Sequence, residues 1–354
     1  MDRSMKRGSA LAALLFGASM PAGATDPRYR EAVLFSASDE TSVEGYEPQR
    51  FQTRLLGLLA NGNHYISEYP ALVVPLESGF VNVLVQRTCN TDGEPDDEHS
   101  LNCSDSIHVA PITGPLLVEN RNGVQSEHLD PCGYDYTTIL FASPEFVASY
   151  GRAGAEEPCN FRGWNWAERW DVHRIKRTDV GIDLTAARFS DVFGEPGRTA
   201  YAAAAAAALN HTVAAEEPTP QDTDCSASPE KDTGWTVRRV RSAWVARLVQ
   251  QEGPLCQPEA DLALPVDSRV TGYEEEKLEW DEVTRAVPDA KEAFASPFGG
   301  LVLVASASRI EVFDRRGSKW RPLGSWLRAP IVSVQWARGA GADRWIQFFR
   351  GPHP

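Results

Sequence analysis

Short apolar segments of strand length, set between turn-forming residues, constrain this chain more than any other feature. They are clearest near the C-terminus. Leu301 to Ala305 and Arg309 to Phe313 flank a short turn, Asp314-Arg315-Arg316-Gly317 reads as a second, and Ile331 to Trp336 and Trp345 to Phe349 flank Gly339-Ala340-Gly341-Ala342-Asp343. β-branched and aromatic runs bounded by Gly and Asp clusters read as hairpins. The pattern is like propeller blades, but this part has room for about one and a half blades where a propeller needs at least about four. The expectation is therefore a small C-terminal β-hairpin domain over residues 293–354, not a propeller. No internal repeat recurs at a fixed period.

Upstream, Ala32 to Phe35, Ala71 to Pro75, Phe80 to Gln86, Ile107 to Pro111, Pro115 to Glu119, Thr137 to Phe141 and Phe146 to Tyr150 read as strands, with a turn at Asn122-Gly123. That spacing suits an antiparallel sheet rather than βαβ units. Gln49 to Ala60 reads as a helix, its leucines favouring one face and Asn61-Gly62-Asn63 stopping it. The alanine-rich Tyr201 to Leu209 is a second helix, since alanine has the highest helix propensity. Trp235 to Val249 fits a helical face through Val237, Val240, Trp244, Val245 and Leu248. Its β-branched content and the Asp232-Thr233-Gly234 turn fit a hairpin, the reading taken here. The fold class is α+β: mostly antiparallel β-sheet with two or three helices, stapled by disulfides, plus the C-terminal hairpin domain. The expected divisions are a signal peptide at 1–24, an α+β domain at 25–265, a connector at 266–292 and the hairpin domain at 293–354.

The first 24 residues carry the marks of a signal peptide: positive Arg3, Lys6 and Arg7, an apolar run from Ala10 to Met20, and Ala22-Gly23-Ala24 as a cleavage site. The run is too short to span a bilayer, which takes roughly 20 apolar residues. The expected location is periplasmic or secreted, with no transmembrane segment after cleavage. The 354-residue chain has a formal charge of −14, and cleavage removes three positive residues and one negative, leaving about −16. Such a charge argues against nucleic acid as a partner, because phosphate contacts need clustered Lys and Arg.

All six cysteines, Cys89, Cys103, Cys132, Cys159, Cys225 and Cys256, follow the signal peptide. An even count in an exported chain suggests disulfides, though six cysteines permit 15 pairings. The simplest set is sequential, Cys89–Cys103, Cys132–Cys159 and Cys225–Cys256, each closing a local loop worth roughly 3 kcal/mol by chain entropy. There is no Cys-x-x-Cys pair of the kind zinc sites use.

The chemistry-bearing motifs are mostly absent. There is no His-Glu-x-x-His, Gly-x-Ser-x-Gly, P-loop or dinucleotide glycine fingerprint. No cofactor or metal is implied. The acidic stretch Asn90 to Asn102 has oxygen ligands for calcium but not the EF-hand spacing, and a solvated loop closed by Cys89 and Cys103 explains it. His128, beside Asp130, is the histidine most suited to acid–base work. Trp164, Trp166 and Trp170, with His173, form the other candidate contact cluster. Trp164 and Trp166 would share a face of a strand and, if exposed, would stack on a sugar or anchor a protein; with ten tryptophans in the chain, burial in the core is the simpler account.

Residues 141 to 210 resemble the extracytoplasmic domain of RsiV-type bacterial envelope proteins. The similar elements are the aromatic strand Phe146 to Tyr150, a further strand, then Gly181-Ile182-Asp183-Leu184-Thr185 leading into Phe189-Ser190-Asp191-Val192-Phe193 and a helix. Gly151-Arg152-Ala153-Gly154-Ala155 stands where that family has Gly-Gly-Ala-His. The resemblance implies an α+β binding domain of the envelope and no catalytic residue. The leading functional expectation is an exported non-catalytic binding protein of the bacterial periplasm or cell surface, with an envelope protein or a glycan as partner. A secreted hydrolase with dispersed active-site residues and a structural envelope component are the alternatives.

Overall fold

The computed structural model describes residues 29–38, 49–77, 79–91, 101–112, 133–155, 167–178, 181–213, 232, 234–249, 259–262, 264, 266, 270, 278–316 and 319–350. Its strands follow one another as up-and-down blades. β1 (Tyr29–Ser38), β2 (Phe51–Leu59) and β3 (His64–Tyr69) belong to the first, and β4 (Leu72–Leu76), β5 (Gly79–Thr91) and β6 (Leu101–Pro111) make the second. β7 (Gly133–Ala142), β8 (Phe146–Ala155), β9 (Ala167–Thr178) and β10 (Gly181–Ala186) make the third. β11 (Trp235–Val240), β12 (Ala243–Val249) and β13 (Glu259–Leu262) make the fourth, and β14 (Ala290–Ala295), β15 (Leu301–Ser306), β16 (Arg309–Asp314) and β17 (Arg321–Leu327) the fifth. β18 (Ile331–Arg338) then returns to the first blade and pairs antiparallel with β1, Ser36 facing Ser333 and Val33 facing Trp336. The result is a five-bladed β-propeller closed by strands from opposite ends of the chain.

This corrects the expected fold class. Residues 293–354 do not form a separate hairpin domain: β14 to β17 are one blade of the ring, and β18 completes another. The blade count failed because the first four blades carry no recognisable repeat and closure joins residues about 300 apart, which no local pattern records. The helix expected at 49–60 is strand β2. Leu55 packs toward one side of the blade, with Ala32, Leu34 and Val73, while Leu56 and Leu58 pack toward the other, with Val33, Phe35 and Leu303. A strand buried on both faces loses polar alternation and mimics a helical stripe. The strand expected at Trp345 to Phe349 lies in α3 (Ala340–Arg350), which buries Ala342, Ile346 and Phe349 at helical spacing. Gly339, at φ 53°, turns the chain from β18 into that helix.

Other expectations fit. Trp235 to Val249 is the β11–β12 hairpin, and Tyr201 to Leu209 lies in α1 (Phe189–Val213), which breaks at Gly194 (φ 65°, ψ −161°) just before Pro196. The segment that carries the envelope-protein resemblance forms the strands of blade three and α1. Asp232 holds the start of α1, its carbonyl accepting the Phe189 amide at 2.8 Å and its carboxylate the Ser190 amide at 2.8 Å. α2 (Trp280–Ala286) falls inside the stretch expected as a connector and packs on blade five.

Apolar cores fill the seams between blades. Blades one and five share Phe35, Leu56, Leu303 and Leu323; blades three and four share Phe146, Val172, Trp235 and Leu248. Blades two and three are also joined by a short parallel run, Asn102 to Ser104 against Gly133 to Asp135. There Asp105 accepts two hydrogen bonds from Arg87, at 2.8 and 2.9 Å, and one from the Thr137 amide at 3.0 Å.

The disulfide expectation falls mostly outside what the structure describes. Cys132, Cys159, Cys225 and Cys256 lie outside the described residues. The backbone register of β5 and β6 sets Cys89 directly opposite Cys103.

Glu31 ties the closing blade to its neighbour. It lies on β1, is 2% exposed, and its Oε1 accepts the Leu301 amide at 3.3 Å. A Cβ on Gly300 would come within 2.0 Å of Oε2, so a side chain there would displace this carboxylate. Burial raises the Glu31 carboxyl above its ordinary 4.5, against the hydrogen bonds from Ser296 and Leu301 and the charges of Arg30 and Arg316, which lower it. Between 4.5 and the raised value the folded chain keeps a proton that the unfolded chain has lost. The stability from this group is therefore full below 4.5 and is lost as pH rises through the folded value. Glu31→Gln keeps an acceptor without the charge. It is expected to flatten that part of the Tm–pH profile and to melt at neutral pH no lower than the wild type. A clearly lower Tm there would mean that the charge itself supports the seam.

Candidate functional site

The strands that begin the blades converge at the middle of the ring. Val332 of β18 packs in one cluster with Leu72 and Val74 of β4 and Ile139 of β7. Beside this plug lies a cavity of about 310 Å³, walled by β7, β11, β14 and β18 and therefore by four of the five blades. That volume is at the low end of the roughly 300–1,000 Å³ typical of small-molecule sites. Leu140, Phe141, Val237, Phe294, Ile331 and Val334 give it an apolar wall.

The polar groups come from separate blades. Arg239 on β11 has a side chain 7% exposed, with its Nε 3.2 Å from Oε1 of Glu292 on β14. Its guanidinium lies 4.0 Å from the Phe294 ring centroid and 4.9 Å from that of Trp244, and it also donates to the Ala293 carbonyl. Stacking on two rings and pairing with a carboxylate locks its geometry. Glu292 does further work, accepting the amides of Ser242 at 2.9 Å and Ala293 at 2.8 Å. Arg241 (φ 48°) and Ser242 (φ 63°) form the β11–β12 turn in the left-handed region without a glycine. A two-residue hairpin turn of type I′ has both φ values positive, and the carboxylate of Glu292 holds this one by accepting the Ser242 amide.

The remaining charges are unequal. Arg238, Arg239, Lys291 and Arg328 line the cavity, against the single carboxylate of Glu292. Arg239 is matched by Glu292, and Arg238 pairs with Asp261 through Nε at 3.1 Å. That leaves Lys291 and Arg328 without a carboxylate partner among the described residues. Arg328 Nη1 and Ser333 Oγ are buried with no hydrogen-bond partner.

Comparison with known protein families, with characterised proteins and with solved structures returns no match. The site therefore has to be read from its own chemistry. Of the candidate contact residues named from sequence, the two that are described, Trp170 and His173, are not in its lining. Trp164 and Trp166 lie outside the described residues, as do His128 and Asp130. Trp170 is half-buried on β9, its ring 4.6 Å from Tyr150 of β8 across the pair. His173, also half-buried on β9, sits in register between Val147 of β8 and Ala186 of β10. Among the described residues, no group of three or more His, Cys, Asp or Glu is placed to hold a metal, and no helix is long and apolar enough to cross a membrane. Sequence reading missed Arg239, Glu292 and Arg328 because each is an ordinary charged residue in or just after a strand, and only the packing of blades against one another brings them together.

Proposed function

We propose that this chain is an exported binding protein that holds a small molecule in the cavity at the centre of its propeller. The observation that carries this reading is the cavity itself, walled by four blades, apolar on one side and furnished with cationic groups from blades four and five and the link from β17 to β18. A largely preformed concave site with a few placed polar groups is the usual form of a small-molecule site. The groups there are suited to holding a ligand: arginines and a lysine, one carboxylate engaged by Arg239 and two backbone amides, and aromatic rings. The export reading draws on the N-terminal segment and on the backbone register that sets Cys89 opposite Cys103, the arrangement a cross-strand disulfide requires.

Ile331→Trp tests the cavity. Ile331 lines it from a partly exposed position at the start of β18, so the larger ring occupies ligand space at little cost to the core. A thermal-shift screen with a metabolite library is expected to stabilise the wild type with at least one compound and to leave Ile331→Trp unmoved by it. Equal stabilisation of both proteins would place the ligand elsewhere.

A further inference from the structure

Resting on the reading of the central cavity as a ligand site, we infer that its ligand is a small organic anion: an oxyanion group, carboxylate or phosphate, on a compact apolar body. The oxyanion pairs with Arg328 and Lys291. The apolar body lies against Phe141, Ile331 and Val334.

Three observations lead here. The first is the orphaned guanidinium nitrogen of Arg328, buried without a partner in the wall of a cavity. A buried charged donor without an acceptor is costly, and a bound ligand that accepts from it is one way such a group is satisfied. The Ser333 hydroxyl, equally orphaned on β18, is a second donor in the same lining. The second is the charge balance. Glu292 is already engaged by Arg239 and two backbone amides, so it does not answer Arg328 or Lys291. The cavity is locally cationic in a chain of formal charge −14, so its charge is a property of the site and not of the composition. The third is size. About 310 Å³ admits a ligand of a dozen or so atoms but not a polyanion. The apolar wall rewards a hydrocarbon body over a bare inorganic ion, since removing apolar surface from water is favourable.

Calorimetric titration of the full mature chain with benzoate, phenyl phosphate, neutral benzamide and inorganic phosphate tests this. At least one of the two organic anions is expected to bind about tenfold more tightly than benzamide and than inorganic phosphate, as a charge-assisted contact beside an apolar wall should. Arg328→Gln is expected to remove that advantage. Arg198→Gln, at an exposed arginine of α1 paired with Glu195 and outside the cavity lining, is expected to keep it. Should Arg328→Gln fold poorly, Lys291→Gln reads the same charge from an exposed position, with an expected loss of about threefold. Benzamide binding as tightly as benzoate and phenyl phosphate, or insensitivity to both charge variants, would overturn the anion inference and leave the cavity as a site for neutral ligands. Inorganic phosphate binding as tightly as phenyl phosphate would overturn the apolar body. No binding of any of the four probes overturns the inference; the reading of the cavity as a ligand site falls only if the Ile331→Trp screen also finds no ligand.

Discussion

Glu292→Ala is expected to destabilise the protein by about 3–5 kcal/mol, the cost of stripping a buried ion pair of one partner. Arg239 would stay in place, 7% exposed and wedged between Phe294 and Trp244, with its charge unanswered. The Ser242 amide, held by Glu292 Oε1, would lose its acceptor in a turn whose residues already sit at positive φ. Urea unfolding followed by tryptophan fluorescence measures this directly. Two controls separate the contributions. Glu292→Gln keeps an acceptor for the turn and loses only the charge, so its loss should be smaller. The double variant Arg239→Met with Glu292→Leu removes both charges and replaces them with apolar bulk. It should recover much of the stability, as expected when the penalty lies in an uncompensated charge. A Glu292→Ala loss below about 1 kcal/mol, the size of a surface pair, would mean that solvent reaches Arg239.

Trp235→Ala is the second large effect, expected at about 3–5 kcal/mol for a fully buried aromatic. Trp235 opens β11 and is wholly buried. Its indole N–H donates to the Ala187 carbonyl at 2.9 Å, and its ring meets Phe189 edge-on at 5.2 Å and Phe193 at 5.7 Å. It therefore fastens blade four to blade three and to the start of α1. Trp235→Phe keeps most of the apolar volume and gives up the hydrogen bond. It should cost clearly less, in the range of about 1–3 kcal/mol set by leaving the Ala187 carbonyl unmet. If the two substitutions cost the same, the hydrogen bond and not the packing would be the link between the blades.

Local pattern carried much of the secondary structure and little of the architecture. Val81, Val83 and Val85 alternate, and they form a strand; Asp314 to Gly317 reads as a turn, and β16 ends at Asp314. Leu55, Leu56 and Leu58 misled because both faces of β2 are buried. The ring was hidden for a different reason. Its blades differ in length and in connections, so no repeat shows, and its closing pair, β1 with β18, joins residues about 300 apart in sequence. The same geometry hid the site. Arg239, Glu292 and Arg328 become neighbours through the arrangement of blades four, five and one, whereas Trp170, the described member of the tryptophan cluster that stood out in sequence, belongs to the third strand of a single blade.

The central claim is that the chain closes into a ring by pairing its last strand with its first, which brings the walls of the cavity together. Ser36 and Ser333 are both buried and face each other across that pair. A Ser36→Cys, Ser333→Cys double variant, folded under oxidising conditions and mapped by non-reducing peptide mass spectrometry, tests the claim at the join. The predicted result is a monomer in which residue 36 is linked to residue 333. A folded, soluble double variant in which these two cysteines never link to each other would contradict the closed ring.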